Sequence, residues 1–148
     1  MSKLQKILFA EDSENDIELT LAAFAESQLA NPIEVVRDGE EALDYLFCKG
    51  RFKDREDEPP IFVLLDLKMP KKDGIEVLKL IRESEKYRNL PVIILTSSQM
   101  ETDVIRSYEL GVNGFVVKPI DFMEFVKAIK AIGFFWAILN TSPMKQIK

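Results

Sequence analysis

The stretch Ile61–Gly74, IFVLLDLKMPKKDG, holds the reading that decides the fold. Five consecutive apolar residues, Ile61–Leu65, stop at a carboxylate, Asp66, and a turn follows at once. An apolar run without alternation is the pattern of a strand covered on both faces, as in a parallel sheet. A carboxylate at the end of such a strand is costly to bury unless a cation or a hydrogen-bond donor compensates it.

Four more short apolar runs accompany it: Ile7–Ala10, Ile33–Val36, Val92–Leu95 and Phe115–Val117. Between them lie Asp16–Gln28, Gly39–Lys49, Ile75–Tyr87 and Met100–Leu110, with apolar residues three and four apart, and a last helical segment covers about 122–139. In the third segment Ile75, Leu78, Ile81 and Arg82 illustrate one face with a charged rear. Pro32 and Pro91 each precede a strand, Gly74 opens a helix and Gly111 follows one. Five strand–helix alternations predict an α/β fold: a doubly wound (βα)5 arrangement with a five-stranded parallel sheet, one domain over 1–148. The charged stretch Cys48–Pro60, CKGRFKDREDEPP, reads as a solvated loop, with a partner-contact insertion as the rarer alternative.

The 148 residues are 47% hydrophobic and 30% charged, the balance of an ordinary soluble domain. A net charge of −5 argues against direct nucleic-acid binding, which needs a basic face for phosphates. The single cysteine, Cys48, has no internal disulfide partner. The N-terminal apolar run is too short for a signal peptide, and Gly133–Leu139 is too short to span a bilayer, so a cytoplasmic protein without membrane contact is expected. The chain contains no histidine, which removes histidine base catalysis and the commonest zinc ligand.

Ligands of doubly wound sheets sit beyond the carboxyl ends of the strands. There the sequence offers Glu11 and Asp12 after the first run and Asp66 after the third. Thr96, Ser97 and Ser98 follow the fourth, and Lys118 and Pro119 the fifth. Arg37 and Asp38, after the second, are left at the periphery. Three crowded carboxylates raise one another's pKa unless a cation joins them, and an all-oxygen set without His or Cys suits Mg²⁺. Lys118 supplies a second positive charge and Thr96 a donor, which places a carboxylate for phosphoryl transfer as nucleophile or acceptor. Each piece also has a plain reading: Ser13 among acids suits a helix N-cap, Lys118 a surface lysine, Thr96 an ordinary strand end.

Taken in order, KILFAEDS, VLLDLKMPKKDG, PVIILTSS and GVNGFVVKP resemble the receiver domain of two-component response regulators, of the chemotaxis-protein-Y type and flavodoxin-like fold, over nearly the whole chain. The resemblance implies that Asp66 is the phosphoacceptor, Asp12 a direct Mg²⁺ ligand and Glu11 its neighbour acting through water. It makes Lys68 the backbone carbonyl completing the metal shell, Thr96 the hydroxyl that turns toward the phosphoryl group and Lys118 its pairing lysine. Phe115 then matches the switch aromatic, and the Lys118–Pro119 bond is expected cis. The phosphoryl donor is a phosphohistidine on a sensor histidine kinase, and the chain accepts it on itself without a separate turnover substrate. Two positions depart: Glu11 stands where many relatives carry Asp, and Lys68 places a cation beside the pocket that can pair with Glu11 or Asp12 in the absence of metal.

The last helical segment ends in a run apolar on all sides, Phe134, Phe135, Trp136, Ala137, Ile138 and Leu139, which needs more than its own sheet to cover it. The tail NTSPMKQIK folding back or a second copy would do so, and a symmetric homodimer through Phe134, Phe135, Trp136, Ile138 and Leu139 is the favoured expectation. The stand-alone form, the insertion before the third strand and the FFWAILN ending also resemble the small regulators paired with bacterial phytochromes. Rival readings are a pseudo-receiver that only binds partners, a haloacid-dehalogenase-type phosphatase, and a flavodoxin-like cofactor binder. The phosphatase lacks its second acid, because that position is Lys68. The cofactor binder lacks a phosphate loop, because EDSEND follows the first strand.

Overall fold

A computed structural model describes residues 5–96, 109–118 and 121–141, the last ten as backbone only. Five parallel strands form one sheet, β1 (Ile7–Ala10), β2 (Ile33–Val36), β3 (Phe62–Asp66), β4 (Val92–Thr96) and β5 (Gly114–Val117), in the order β2-β1-β3-β4-β5. Every residue of β1, β3 and β4 is buried, whereas β2 and β5, at the edges, are largely half-covered. Continuous apolar runs thus mark the centre of the sheet, as the parallel reading requires. Helices α1 (Glu14–Ser27), α2 (Gly39–Phe47), α3 (Gly74–Glu83) and α4 (Phe122–Thr141) flank the sheet. Two cores result. One joins Leu8, Leu65 and Ile94 to Leu46 of α2 and Leu78 and Ile81 of α3. The other joins Phe9, Leu64 and Leu95 to Ile17 and Phe24 of α1 and Phe125 and Ile129 of α4.

Helix ends differ from the sequence expectation where a cap or an anchor decides them. Ser13 is extended and its Oγ accepts from the Asp16 N–H at 3.3 Å, so α1 starts at Glu14 rather than Asp16. The expected segment to Lys49 closes at Phe47, where Cys48 takes a left-handed φ of 56°. The segment expected to reach Tyr87 stops at Glu83, because Tyr87 turns inward and its hydroxyl donates to the Leu46 carbonyl at 2.7 Å. Arg82 is no charged rear. Its guanidinium ties α3 to the carbonyls of Leu110 (2.6 Å), Leu90 (2.8 Å), Gly111 (3.0 Å) and Arg88 (3.1 Å), and burial lowers its pKa. The expected helix Met100–Leu110 falls almost wholly outside the described residues.

The stretch Cys48–Pro60 is not a bare solvated loop. A 3-10 turn, Gly50–Phe52, sends Phe52 inward edge-on to Tyr45, with ring centroids 5.1 Å apart. Arg55 lies 4.0 Å over the Tyr45 ring and donates to the carbonyls of Tyr45, Leu46, Glu56 and Glu58. Counting charges hid this, because one aromatic and one arginine organise the remainder.

Candidate functional site

Register assembles the site. Ala10 pairs with Leu65 and Leu95 with Asp66, while Thr96 pairs with Val117. Backbone bonds continue past the strand ends: the Glu11 N–H donates to Val36 O at 3.0 Å, and the Lys118 N–H to Thr96 O at 2.7 Å. Glu11, Asp66, Thr96 and Lys118 therefore share one edge without any help from loop flexibility. Gly74 completes the seat. A Cβ there would lie 2.5 Å from the Asp66 carbonyl and 2.7 Å from the Leu67 Cα, so only glycine lets α3 start this close to Asp66.

Asp66 ends β3 and is almost fully buried. Burial first, then the negative charge and hydrogen bond of Glu11, raise its pKa to about 7, against the opposing pull of Lys118 and the Lys68 N–H. Glu11 is completely buried; its Oε2 accepts from the Ser13 N–H at 3.1 Å and its Oε1 lies 2.8 Å from Lys118 Nζ. Asp12 is exposed, and a hollow of about 450 Å³ opens beside it, lined also by Lys68, Met69 and Asp73. One oxygen from each of Glu11, Asp12 and Asp66 falls within a 4.8 Å cluster.

Lys118 is where the charges meet. Its Nζ lies 2.8 Å from Glu11, 2.9 Å from Asp16 and 3.6 Å from Asp66. Burial alone would lower its pKa, but the hydrogen bonds to Glu11 and Asp16 and the charge of Asp66 outweigh it and the pKa rises. The ammonium stays charged. Asp16 was missed in the sequence, where it merely opened a helical segment. The signal was its position four residues after Asp12, in the first turn of a helix whose N-terminus faces the site.

Thr96 ends β4, buried. Phe115 is half-buried on β5 and packs against the α2–α3 core, as do Leu110 and Val112. Lys68 is exposed, and among the described residues the ion pair of Glu11 comes from Lys118 rather than from the Lys68 side chain, which could have reached it. Asp38 lies apart: it N-caps α2 at 2.8 Å from Glu41 N and faces Lys71 at 3.7 Å. Ser13 caps α1, yet the capping and acidic readings of EDSEND coexist, since Glu11 turns inward and Ser13 outward along the helix. Ser97, Ser98, Pro119 and hence the expected cis bond lie outside the described residues. Phe134, Phe135, Trp136, Ile138 and Leu139 belong to α4, whose side chains there are not described.

The donor set fits a divalent cation. Three carboxylates share a small volume with one ammonium, all their ligand atoms are hard oxygens, and Asp12 opens the cluster to solvent. A cation bound there would favour the ionised form of Asp66 against the burial that raises its pKa, and Lys118 would face any anion delivered there.

The pattern of the response regulator receiver domain matches residues 7–130. The solved structure of the bacteriophytochrome response regulator RtBRR is 53% identical, with a TM-score of 0.80 over 88% of this chain and 79% of that one. The probable methanogenesis regulatory protein FilR2 of Methanothrix harundinacea is 39% identical over 93% of this chain and 86% of its own length. The response regulator Rcp1 of Synechocystis sp. is 38% identical over 93% of this chain and 92% of its own. Its Mn²⁺-bound structure superimposes with a TM-score of 0.78, at 36% identity over 89% and 94% of the two chains.

Proposed function

Because this chain belongs to the response regulator receiver family, we propose that it takes a phosphoryl group onto Asp66 from a sensor histidine kinase and passes the signal on through its changed surface. The observation that supports this reading most is the buried Asp66 with Lys118 3.6 Å away and two further carboxylates beside it. Response regulators of this family are signalling proteins of two-component systems, and the chemistry proposed here is a single transfer onto self. The Asp66 carboxylate attacks phosphorus in line, an O–P bond forms as the N–P bond of the donor phosphohistidine breaks, and the imidazole leaves with a proton from solvent.

Glu11, Asp12, Asp66 and the Lys68 carbonyl are the proposed holders of Mg²⁺, which neutralises charge on the transferring oxygens when bound. Lys118 meets a second phosphoryl oxygen, Thr96 donates to a third, and Phe115 follows Thr96 inward to alter the β5 surface. The kinase supplies the histidine that this chain lacks. Likeness to the bacteriophytochrome response regulator RtBRR supports a phytochrome as that kinase, and the apolar run at the end of α4 supports a homodimer. Among the described residues no helix is long and apolar enough to cross a membrane; with the acidic balance this supports a cytoplasmic protein that binds neither membrane nor nucleic acid.

The test is intact mass after incubation with Mg²⁺ and a small acyl-phosphate donor, beside Asp66→Asn. One phosphoryl mass gained by the parent alone, and lost in mild alkali, establishes the acceptor. No gain from that donor or from a phosphorylated kinase leaves a pseudo-receiver that only binds partners. Sizing of the same samples reads out the dimer.

A further inference from the structure

Lys118 is held more tightly by a residue outside the carboxylate cluster than by the acceptor it serves. Its Nζ is 2.9 Å from Asp16 Oδ2 and 3.6 Å from Asp66 Oδ1. Asp16 belongs to the first turn of α1, where the helix N-terminus favours its negative charge and the Ser13 cap fixes its backbone. Glu11 holds the same ammonium at 2.8 Å and is itself fixed by the Ser13 N–H. Two anchored carboxylates therefore clamp Lys118 from the α1 side.

We infer that Asp16 is a positioning residue for phosphoryl transfer, holding Lys118 off the Asp66 oxygens so that the nucleophile stays free while the ammonium waits for a phosphoryl oxygen. The inference rests on Asp66 being the acceptor. An ammonium bonded directly to Asp66 would draw on the electron pair that must attack phosphorus. At 3.6 Å it is outside hydrogen-bonding distance yet close enough to meet an oxygen on the arriving group. Without the charge of Asp16, Coulomb attraction draws Lys118 onto Asp66, and the site must break that pair before each transfer. The role is positional: Asp16 touches neither donor nor acceptor.

The test compares the parent chain with Asp16→Asn, Asp16→Glu and Glu14→Gln. Glu14 removes a charge from the same helix turn but pairs with Arg37, so it reports any effect of the helix dipole alone. The first readout is the side-chain ammonium resonance of Lys118 by NMR in the metal-free chain, which needs no phosphorylation. The second is the rate of phosphoryl uptake from a small acyl-phosphate donor at saturating Mg²⁺. Asp16→Asn is expected to shift the resonance and slow uptake about tenfold, less than the roughly hundredfold that a 1 Å misplacement at a reacting centre can cost, because Glu11 still holds the ammonium. Asp16→Glu is expected to recover most of the rate, and Glu14→Gln to match the parent in both. An unmoved resonance, or a shifted one with parent-like uptake in Asp16→Asn, overturns the inference while leaving the acceptor reading intact. Equal slowing in Glu14→Gln overturns it too, since the helix and not the clamp would be responsible. A parent that takes up no phosphoryl group from donor or kinase overturns the acceptor reading itself, and this inference with it.

Discussion

Two cations in this molecule solve opposite problems. Arg55 is surrounded by neutral carbonyls of Tyr45, Leu46, Glu56 and Glu58 and by the Tyr45 ring, so its charge is spread over fixed dipoles and asks for nothing further. Lys118 is shared by Glu11, Asp16 and Asp66, with Asp12 close by, and more negative than positive charge remains around it. A satisfied cation stabilises a segment. An over-subscribed one leaves a region that binding or chemistry must complete, and Asp66, its pKa raised first by burial and then by the charge of Glu11, is where that completion falls.

The sharpest way to break this contrast is Asp66→Asn. Phosphoryl uptake measured by mass is expected to vanish, while the metal-free chain above pH 7 gains roughly 1–4 kcal/mol in urea unfolding, because a carboxyl that resists ionisation is gone. A variant both inactive and less stable would mean that Asp66 belongs with the structural groups. Lys118→Ala comes next. Uptake at saturating Mg²⁺ is expected to fall at least about a hundredfold, the loss typical of removing one charge-stabilising group, and metal-free stability to fall as Glu11 is left buried beside Asp66.

The pH dependence sharpens the comparison. Asp66 has a folded pKa of about 7, well above its ordinary value of 3.8. The folded chain thus holds a proton that the unfolded chain has lost between these values, so this group's contribution is fully present below pH 4 and declines as pH rises through 7. Metal-free unfolding curves at pH 5.5 and 8 are expected to show the higher midpoint at pH 5.5, before the other carboxylates are considered. Mg²⁺ should raise the pH 8 midpoint more than the pH 5.5 midpoint and release protons on binding near pH 7. Equal effects of Mg²⁺ at both values would detach the metal from Asp66.

Much of this was legible in the chain. Continuous apolar runs and the residues just after them are set by local pattern, so the sheet and the edge carrying Glu11, Asp12, Asp66, Thr96 and Lys118 followed from reading strand ends. What escaped depends on contacts between segments far apart in sequence. Asp16 gains its role only because α1 begins over the end of β5. Arg55 and Phe52 look like members of a charge run until Tyr45 receives them, and Arg82 looks like a surface charge until the turn at Leu110 closes over it. Tyr87 shortens α3 through a bond to Leu46, and no periodicity within 75–87 encodes that bond.

On the satisfied side, Arg55→Ala is expected to cost about 2 kcal/mol, since four carbonyls and an aromatic face lose a partner. Phosphoryl uptake should stay at the parent rate, because the insertion lies away from the carboxyl edge of the sheet. The smallest effect is expected at Arg37→Ala. Arg37 meets Glu14 at 2.6 Å, a shorter distance than any of the Lys118 pairs, yet both side chains are more than half exposed. Water screens such a pair and side-chain entropy offsets the rest, so thermal midpoints of parent and variant should coincide within error. Short distance alone would rank this pair above Lys118–Asp66 at 3.6 Å, whereas burial ranks it far below. A clear loss of stability in Arg37→Ala would show that proximity, not desolvation, sets the worth of charges in this chain.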